Sequence, residues 1–302
     1  MSRQHNVIEE REIQKFRKMR RSSVAKTAAA AVLLLSAFSA AMSPLSYSHV
    51  SAQSSAIGIS TAAQVDERKP VAIVIDDFGN NMSGTEEMMK LPVKITAAIM
   101  PFMPTTKKDA EEAYRLGHDV IVHMPMEPNK GLKSWLGPGA LTTDLSDAEV
   151  RKRVEDAIDD VPHAIGMNNH MGSKVTADER MMRIVLSVCK ERGLFFLDSR
   201  TTFKTVVPKL AKELGVPTVS NDVFLDDVYT VQHISKQIGV LRKHLESHDS
   251  CITIGHVGAP GKYTSSVLHQ SIPAMQPTVR FVKLTALIGG ESMNDPLVLP
   301  NP

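Results

Sequence analysis

Six stretches of this 302-residue chain place carboxylates, imidazoles or amides directly after a short hydrophobic run. Asp76-Asp77-Phe78-Gly79 follows VAIVI (71–75). His123-Met124-Pro125-Met126-Glu127-Pro128 continues from DVIV, and Asn168-Asn169-His170-Met171-Gly172-Ser173 from AIGM. Asp198-Ser199-Arg200-Thr201-Thr202 follows LFFL, and His256 follows ITIG. PTVS leads into Asn221-Asp222-Val223-Phe224-Leu225-Asp226-Asp227. Paired carboxylates allow one to hold a divalent cation while its neighbour takes a proton. Asp-Asp leaving a strand offers them in alternating directions. His123 and His170 add neutral imidazoles, and an Asp/His/His set leaves positions open for water and substrate, as catalytic zinc sites do. Any single Asp after a strand also serves as a turn residue. Together, at five or six strand ends, these residues point to one shared site. The histidines away from strand ends, His118, His163, His233, His244, His248 and His269, are assigned to surfaces or helices.

The elements that must position these residues alternate. Continuous β-branched runs such as VAIVI read as strands buried on both faces. KITAAIM (94–100), DVIVHM (119–124), AIGMNN (164–169), LFFLDS (194–199), PTVS (217–220), CITIGHV (251–257) and VRFVKL (279–284) read likewise. Helical patterns lie between them: Lys107–Leu116, Pro208–Leu214, Val231–Leu245 and Thr264–Met275. Ser146-Asp147-Ala148-Glu149 is a capping box opening a helix to about Asp160. Thr176-Ala177-Asp178-Glu179 is a second, opening a helix that stops at Gly193. Strand–helix alternation at this length predicts a mostly parallel sheet, open or closed into a barrel, with its site beyond the carboxyl ends of the strands.

Composition narrows the class. A net charge of +2 and 23% charged residues suit a globular domain and argue against a nucleic-acid partner. Cys189 and Cys251 are too few for a disulfide scaffold and are expected as buried free thiols. Residues 1–52 carry 8 Lys+Arg against 3 Glu and include the apolar run Ala28–Met42. That run is short for a membrane span, and a small-residue site follows at Val50-Ser51-Ala52. The segment reads as a cleaved signal or an uncleaved anchor; both imply export, with a membrane contact only if it stays attached. Residues 53–68 read as a linker, 69–288 as one domain and 289–302 as a loose tail.

The motifs, taken in order, resemble a known family. IDDFG is similar to the T-F-D-D-G motif of polysaccharide deacetylases, and with HMPMEP, NNHMGS, LDSRTT and IGH it resembles the divergent polysaccharide deacetylase family over about Lys69–Leu284. The resemblance implies a distorted (β/α) barrel of seven or eight strands and a divalent metal, usually zinc. It maps a base onto Asp76, a metal ligand onto Asp77 and another onto His123. Position 127 holds Glu where the family's H-x-x-x-H motif has its second histidine, and Asn168-Asn169-His170 stands where an arginine-proline motif is usual. His170 is therefore the expected third ligand. His256 matches the family's acid histidine. Asp198 or Asp226 is expected to orient an imidazole, and Arg200 to hold a substrate anion or pair with a carboxylate. Asn168, Asn169 and Glu127 are expected beside the metal ligands or the substrate. The implied function is an exported, metal-dependent hydrolase removing N-acetyl or related acyl groups from a polysaccharide or cell-wall glycan. The alternative is an altered relative that binds carbohydrate or organises the envelope. GHVGAPGK (255–262) lacks the spacing of a phosphate loop. Trp135, the only tryptophan, could stack on a sugar or cover the barrel mouth.

Overall fold

The structure, a computed structural model, describes residues 66–131 and 133–288. The leader, most of the linker and the tail lie outside the described residues. No helix among the described residues is long and apolar enough to cross a membrane.

Among the described residues, nine strands and seven α-helices follow one another: β1 Lys69–Phe78, α1 Thr85–Met89, β2 Thr96–Ile99, α2 Thr106–Arg115, β3 Asp119–Met126, α3 Asp147–Asp160, β4 Ala164–Met171, α4 Glu179–Glu191, β5 Phe195–Asp198, α5 Val207–Leu214, β6 Thr218–Ser220, β7 Val223–Phe224, α6 Val231–Ser247, β8 Cys251–His256, α7 Gly261–Met275 and β9 Val279–Val282. Every strand pair is parallel, in the order β6-β5-β4-β3-β2-β1-β8-β7. Val71 and Ala72 pair with both β8 and β9, so β9 occupies the early part of the β1 edge that β2 occupies later. The ladder stops between β6 and β7. The two residues joining them bond elsewhere: Asn221 N–H to Asp198 O and Asp222 N–H to Ile252 O, both at 2.9 Å. The sheet is therefore an incomplete barrel with helices outside.

Two apolar layers hold it. Ala72, Val74, Ala98, Ile121, Leu197, Ile252 and Ile254 fill the inside of the sheet. Val71, Ile73, Ile75, Val122, Phe196 and the buried faces of the helices form the layer outside. Both faces of the strands are thus apolar, which is why they read as continuous runs.

Two expectations are corrected and one strand was missed. Thr176 does not cap a helix: it lies in the single 3₁₀ turn Val175–Ala177, its hydroxyl on Gly172 O, and Asp178 caps α4 by accepting from Met181 N–H. The two-residue strand β7 was hidden inside a polar stretch, too short to show a period. His118 is not a surface residue: it is buried, with Ile95 N–H donating to Nδ1 at 3.2 Å and Nε2 3.1 Å from Met89 O. The Ser146/Glu149 box is present in full, and both cysteines are buried and free.

Candidate metal centre

The site begins where β1 ends. In a regular strand Asp76 and Asp77 would face opposite sides. The backbone instead turns left-handed at Asp77 (φ 70), where the β1–β2 register slips between Ile75 and Phe78. Both carboxylates consequently approach one nitrogen: Asp77 Oδ1 lies 3.2 Å and Asp76 Oδ2 3.7 Å from His123 Nε2. The expected alternation of the pair is therefore corrected. Such a conformation persists only where surroundings over-determine it. Here Phe78 is fully buried and its carbonyl accepts from Met100 N–H. Gly79 (φ 112) packs so closely that a Cβ would stand 2.7 Å from Met100 O. Its N–H donates to Asp109 Oδ2, which also accepts from the Thr105 hydroxyl. Asp109 was not singled out in the sequence, where it reads as one more charge in a helical turn.

His123 and Asn168 stand opposite each other on β3 and β4. His123 Nδ1 lies 2.7 Å from Asn168 Oδ1, while Asn168 Nδ2 donates to Asp76 Oδ1 at 2.9 Å and approaches Ser199 Oγ at 3.3 Å. The amide orientation assigned by this network makes His123 Nδ1 the protonated nitrogen and leaves a lone pair on Nε2. His170 Nε2 lies 3.2 Å from the Trp135 carbonyl, an acceptor only, so its lone pair is on Nδ1. His123 Nε2, His170 Nδ1 and Asp77 Oδ1 then face one another at 3.1, 2.9 and 3.2 Å. Three acceptors this close repel unless a cation or proton sits among them. Asp77 Oδ1 is buried and lacks a well-aligned donor. Donors of a tetrahedral zinc with bonds of 2.0–2.2 Å stand roughly 3.3–3.6 Å apart, slightly wider than this triangle. The donor set fits a divalent ion.

Electrostatics separate the carboxylates. Burial would raise Asp77, but the adjacent His123 and His170 hold it well below the usual carboxylate range. Burial wins at Asp76 and raises it, against the opposing charges of His123 and His256. Burial also opposes charge on His123, yet Asp76 and Asp77 raise it.

His256 stands beside Asp76 on the neighbouring strand. Its Nδ1 lies 2.7 Å from Asp226 Oδ1, its backbone N–H donates to Asp226 Oδ2 at 2.8 Å, and Thr264 Oγ1 donates to the same oxygen at 2.7 Å. Phe224 stacks along the imidazole at 6.2 Å. Burial disfavours its charge, but Asp226 overcomes this and, with Asp77 and Asp76, raises His256 to about 10.

Four further expected residues make no hydrogen bond or ion pair with Asp76, Asp77, His123, His170 or His256 among the described residues. Asn169 points away from Asn168, accepting from Ser199 N–H and donating to Met171 O, and so ties β4 to the loop after β5. Asp198 contacts no imidazole; it is fully buried, accepts from Arg200 N–H and leaves Oδ2 without a partner. Arg200 is exposed and forms no ion pair among the described residues. Glu127 pairs with Lys174 at 2.8 Å and accepts from Thr143 N–H and Oγ1. Ser199 and Thr264 reach the site's hydrogen-bond network without having been assigned a role from sequence.

A parallel α/β barrel with a carboxylate–imidazole triangle at its mouth defines the class. Residues 73–288 match the family model described as divergent polysaccharide deacetylase. An uncharacterized protein of Haemophilus influenzae is 36% identical over 232 residues, covering 77% of this chain and 80% of that protein. The uncharacterized protein YibQ of Escherichia coli is 34% identical over 218 residues, 72% of this chain and 67% of its own. A crystal structure of an uncharacterized protein from Agrobacterium tumefaciens shares the fold at a TM-score of 0.68 and 21% identity, covering 73% of this chain and 89% of that one. The chain belongs to the divergent polysaccharide deacetylase family.

Proposed function

We propose that this protein is an exported, metal-dependent hydrolase that removes N-acetyl or related acyl groups from a polysaccharide. The observation that carries the reading is the triangle of three converging ligand atoms, Asp77 Oδ1, His123 Nε2 and His170 Nδ1, with Asp76 beside it. Family membership supports the polysaccharide as substrate class. The basic segment before the apolar run Ala28–Met42 supports export.

Asp77, His123 and His170 would hold the ion, zinc being the usual choice for such ligands. A bound divalent ion lowers the pKa of a coordinated water and polarises a carbonyl. Asp76, its carboxyl raised by burial, is the stronger base for it and takes the proton from the attacking water. Asn168 keeps that carboxylate and His123 in register with one amide. His256, held as imidazolium by Asp226, gives its proton to the leaving nitrogen. The test is metal content of the purified chain together with acetate release from a panel of acetylated glycans. The expected result is metal-dependent release from at least one polymer. Metal bound and glycan retained without any release would replace hydrolysis by carbohydrate binding.

A further inference from the structure

A second set of metal-ligating side chains converges at the other end of the barrel. The six residues of β8 run from Cys251 to His256, so about 17 Å of strand separates Cys251 from the mouth. Beside Cys251 lie Asp222, from the connection between β6 and β7, and His244, from the last turn of α6. One donor atom of each lies within 4.8 Å of the other two. Asp222 Oδ2 stands 3.8 Å from His244 Nε2 and accepts from Ile252 N–H at 2.8 Å, which fixes the carboxylate and leaves Oδ1 for another bond. His248 lies flat on His244 at 3.9 Å and 8°. Cys251 is fully buried, and among the described residues the one hydrogen-bond contact of its sulfur is 3.9 Å to Ile252 O, long even for a thiol.

We propose that Asp222, His244 and Cys251 form a second divalent-metal site, suited to zinc, that ties the end of α6 to the start of β8. The chemistry of the set selects the ion. One thiolate, one imidazole and one carboxylate oxygen suit zinc and its cobalt(II) surrogate, whereas magnesium and calcium prefer oxygen alone. Zinc bonds of about 2.3 Å to sulfur and 2.0–2.1 Å to nitrogen place tetrahedral donors roughly 3.3–3.7 Å apart. The three donors therefore close by about 1 Å, a shift available to the partly exposed Asp222 and to His244 at a helix end. Burial and the charge of Asp222 push the free Cys251 thiol up to about 12. The sulfur accordingly holds its proton until the ion arrives: the S–H bond breaks, the sulfur–metal bond forms and one proton leaves to solvent. The role is structural, because the ligands come from three elements that meet only in the folded chain.

The mouth triangle contains no sulfur, and this separates the two sites spectroscopically. The purified full chain, freed of metal and kept reduced, is titrated with cobalt(II). The expected result is two equivalents, one of which brings a thiolate-to-cobalt charge-transfer band in the near ultraviolet. Cys251→Ser abolishes the band and retains one equivalent. Asp77→Asn loses the other equivalent and keeps the band, so failure of the mouth site and failure of this one are distinguishable. Asp222→Asn and His244→Gln, changes at partly exposed positions, weaken the band at least tenfold in cobalt affinity and serve if Cys251→Ser does not fold. A titration without a charge-transfer band overturns the proposal. So does a band that survives in Cys251→Ser or disappears in Cys189→Ser.

Discussion

At the scale of single residues, the left-handed Asp77 sets the geometry on which the proposed division of labour rests. It lets adjacent carboxylates share one imidazole, one beside the nitrogen at 3.2 Å and the other behind it at 3.7 Å. Asp76→Asn is expected to keep metal occupancy and lower turnover by roughly 10²–10⁴-fold, the usual contribution of a general base. Asp77→Asn is expected to lose metal and turnover together. Metal analysis beside acetate release checks both, and equal metal loss in the two variants would show the roles to be inseparable. Metal affinity should also depend on pH in a defined direction. Asp76 and Asp77 raise His123 in the metal-free site, so an incoming ion must displace a proton there. Affinity measured by chelator competition is expected to fall as pH is lowered from about 8 to 5. An affinity constant over that window would remove His123 from the ligand set.

At the scale of elements, what the sequence conceals is parity. Strand existence was legible because both faces of these strands are apolar, and their parallel order places all the carboxyl ends on one rim. The same two-sided burial hides which residues face inward. Phe195 and Leu197 point inward and Phe196 outward, so Asp198 faces the helices while Ser199 reaches Asn168. Asn168 and Asn169 divide in the same way, one into the site and one into a staple. Asp226 and His256 met because β7 lies next to β8, a pairing that a two-residue strand leaves unreadable. His118 shows a similar blind spot. In sequence it lies just past the helical pattern Lys107–Leu116, yet it bridges Ile95 N–H and Met89 O. Removing it as His118→Ala is expected to cost about 1–3 kcal/mol, the penalty for stranding buried polar groups. Burial lowers its pKa, so the fold holds it neutral. A histidine depressed in the folded state contributes stability that is lost as pH falls below about 6.5, its unfolded value. His118→Gln keeps an acceptor and a donor without titrating. Denaturation of the two metal-free proteins should therefore diverge below about pH 6.5, with the variant the more stable; parallel acid limbs would exclude the bridge.

For the whole molecule, the consequential feature is the rim of the incomplete barrel. Exposed aromatic rings follow the carboxyl ends of five strands: Phe102 after β2, Trp135 after β3, Phe203 after β5, Tyr229 after β7 and Tyr263 after β8. Trp135 is 61% and Phe203 99% exposed. The tryptophan touches the site through its backbone, where its carbonyl accepts from His170. Large apolar groups gathered on one face mark a binding surface. If the proposed glycan substrate is right, flat rings around the site suit the apolar faces of neighbouring sugars in a polymer. Trp135→Ala and Phe203→Ala are therefore expected to raise KM for a polymeric acetylated glycan by roughly tenfold each, about 1.4 kcal/mol. They should leave kcat on a short acetylated sugar unchanged, because the backbone carbonyl on His170 survives both substitutions. Comparing polymer and short substrate with each variant separates the two effects. A loss of equal size on the short substrate would mean that the rings shape the metal site itself. No change on the polymer would leave the rim without a part in glycan recognition.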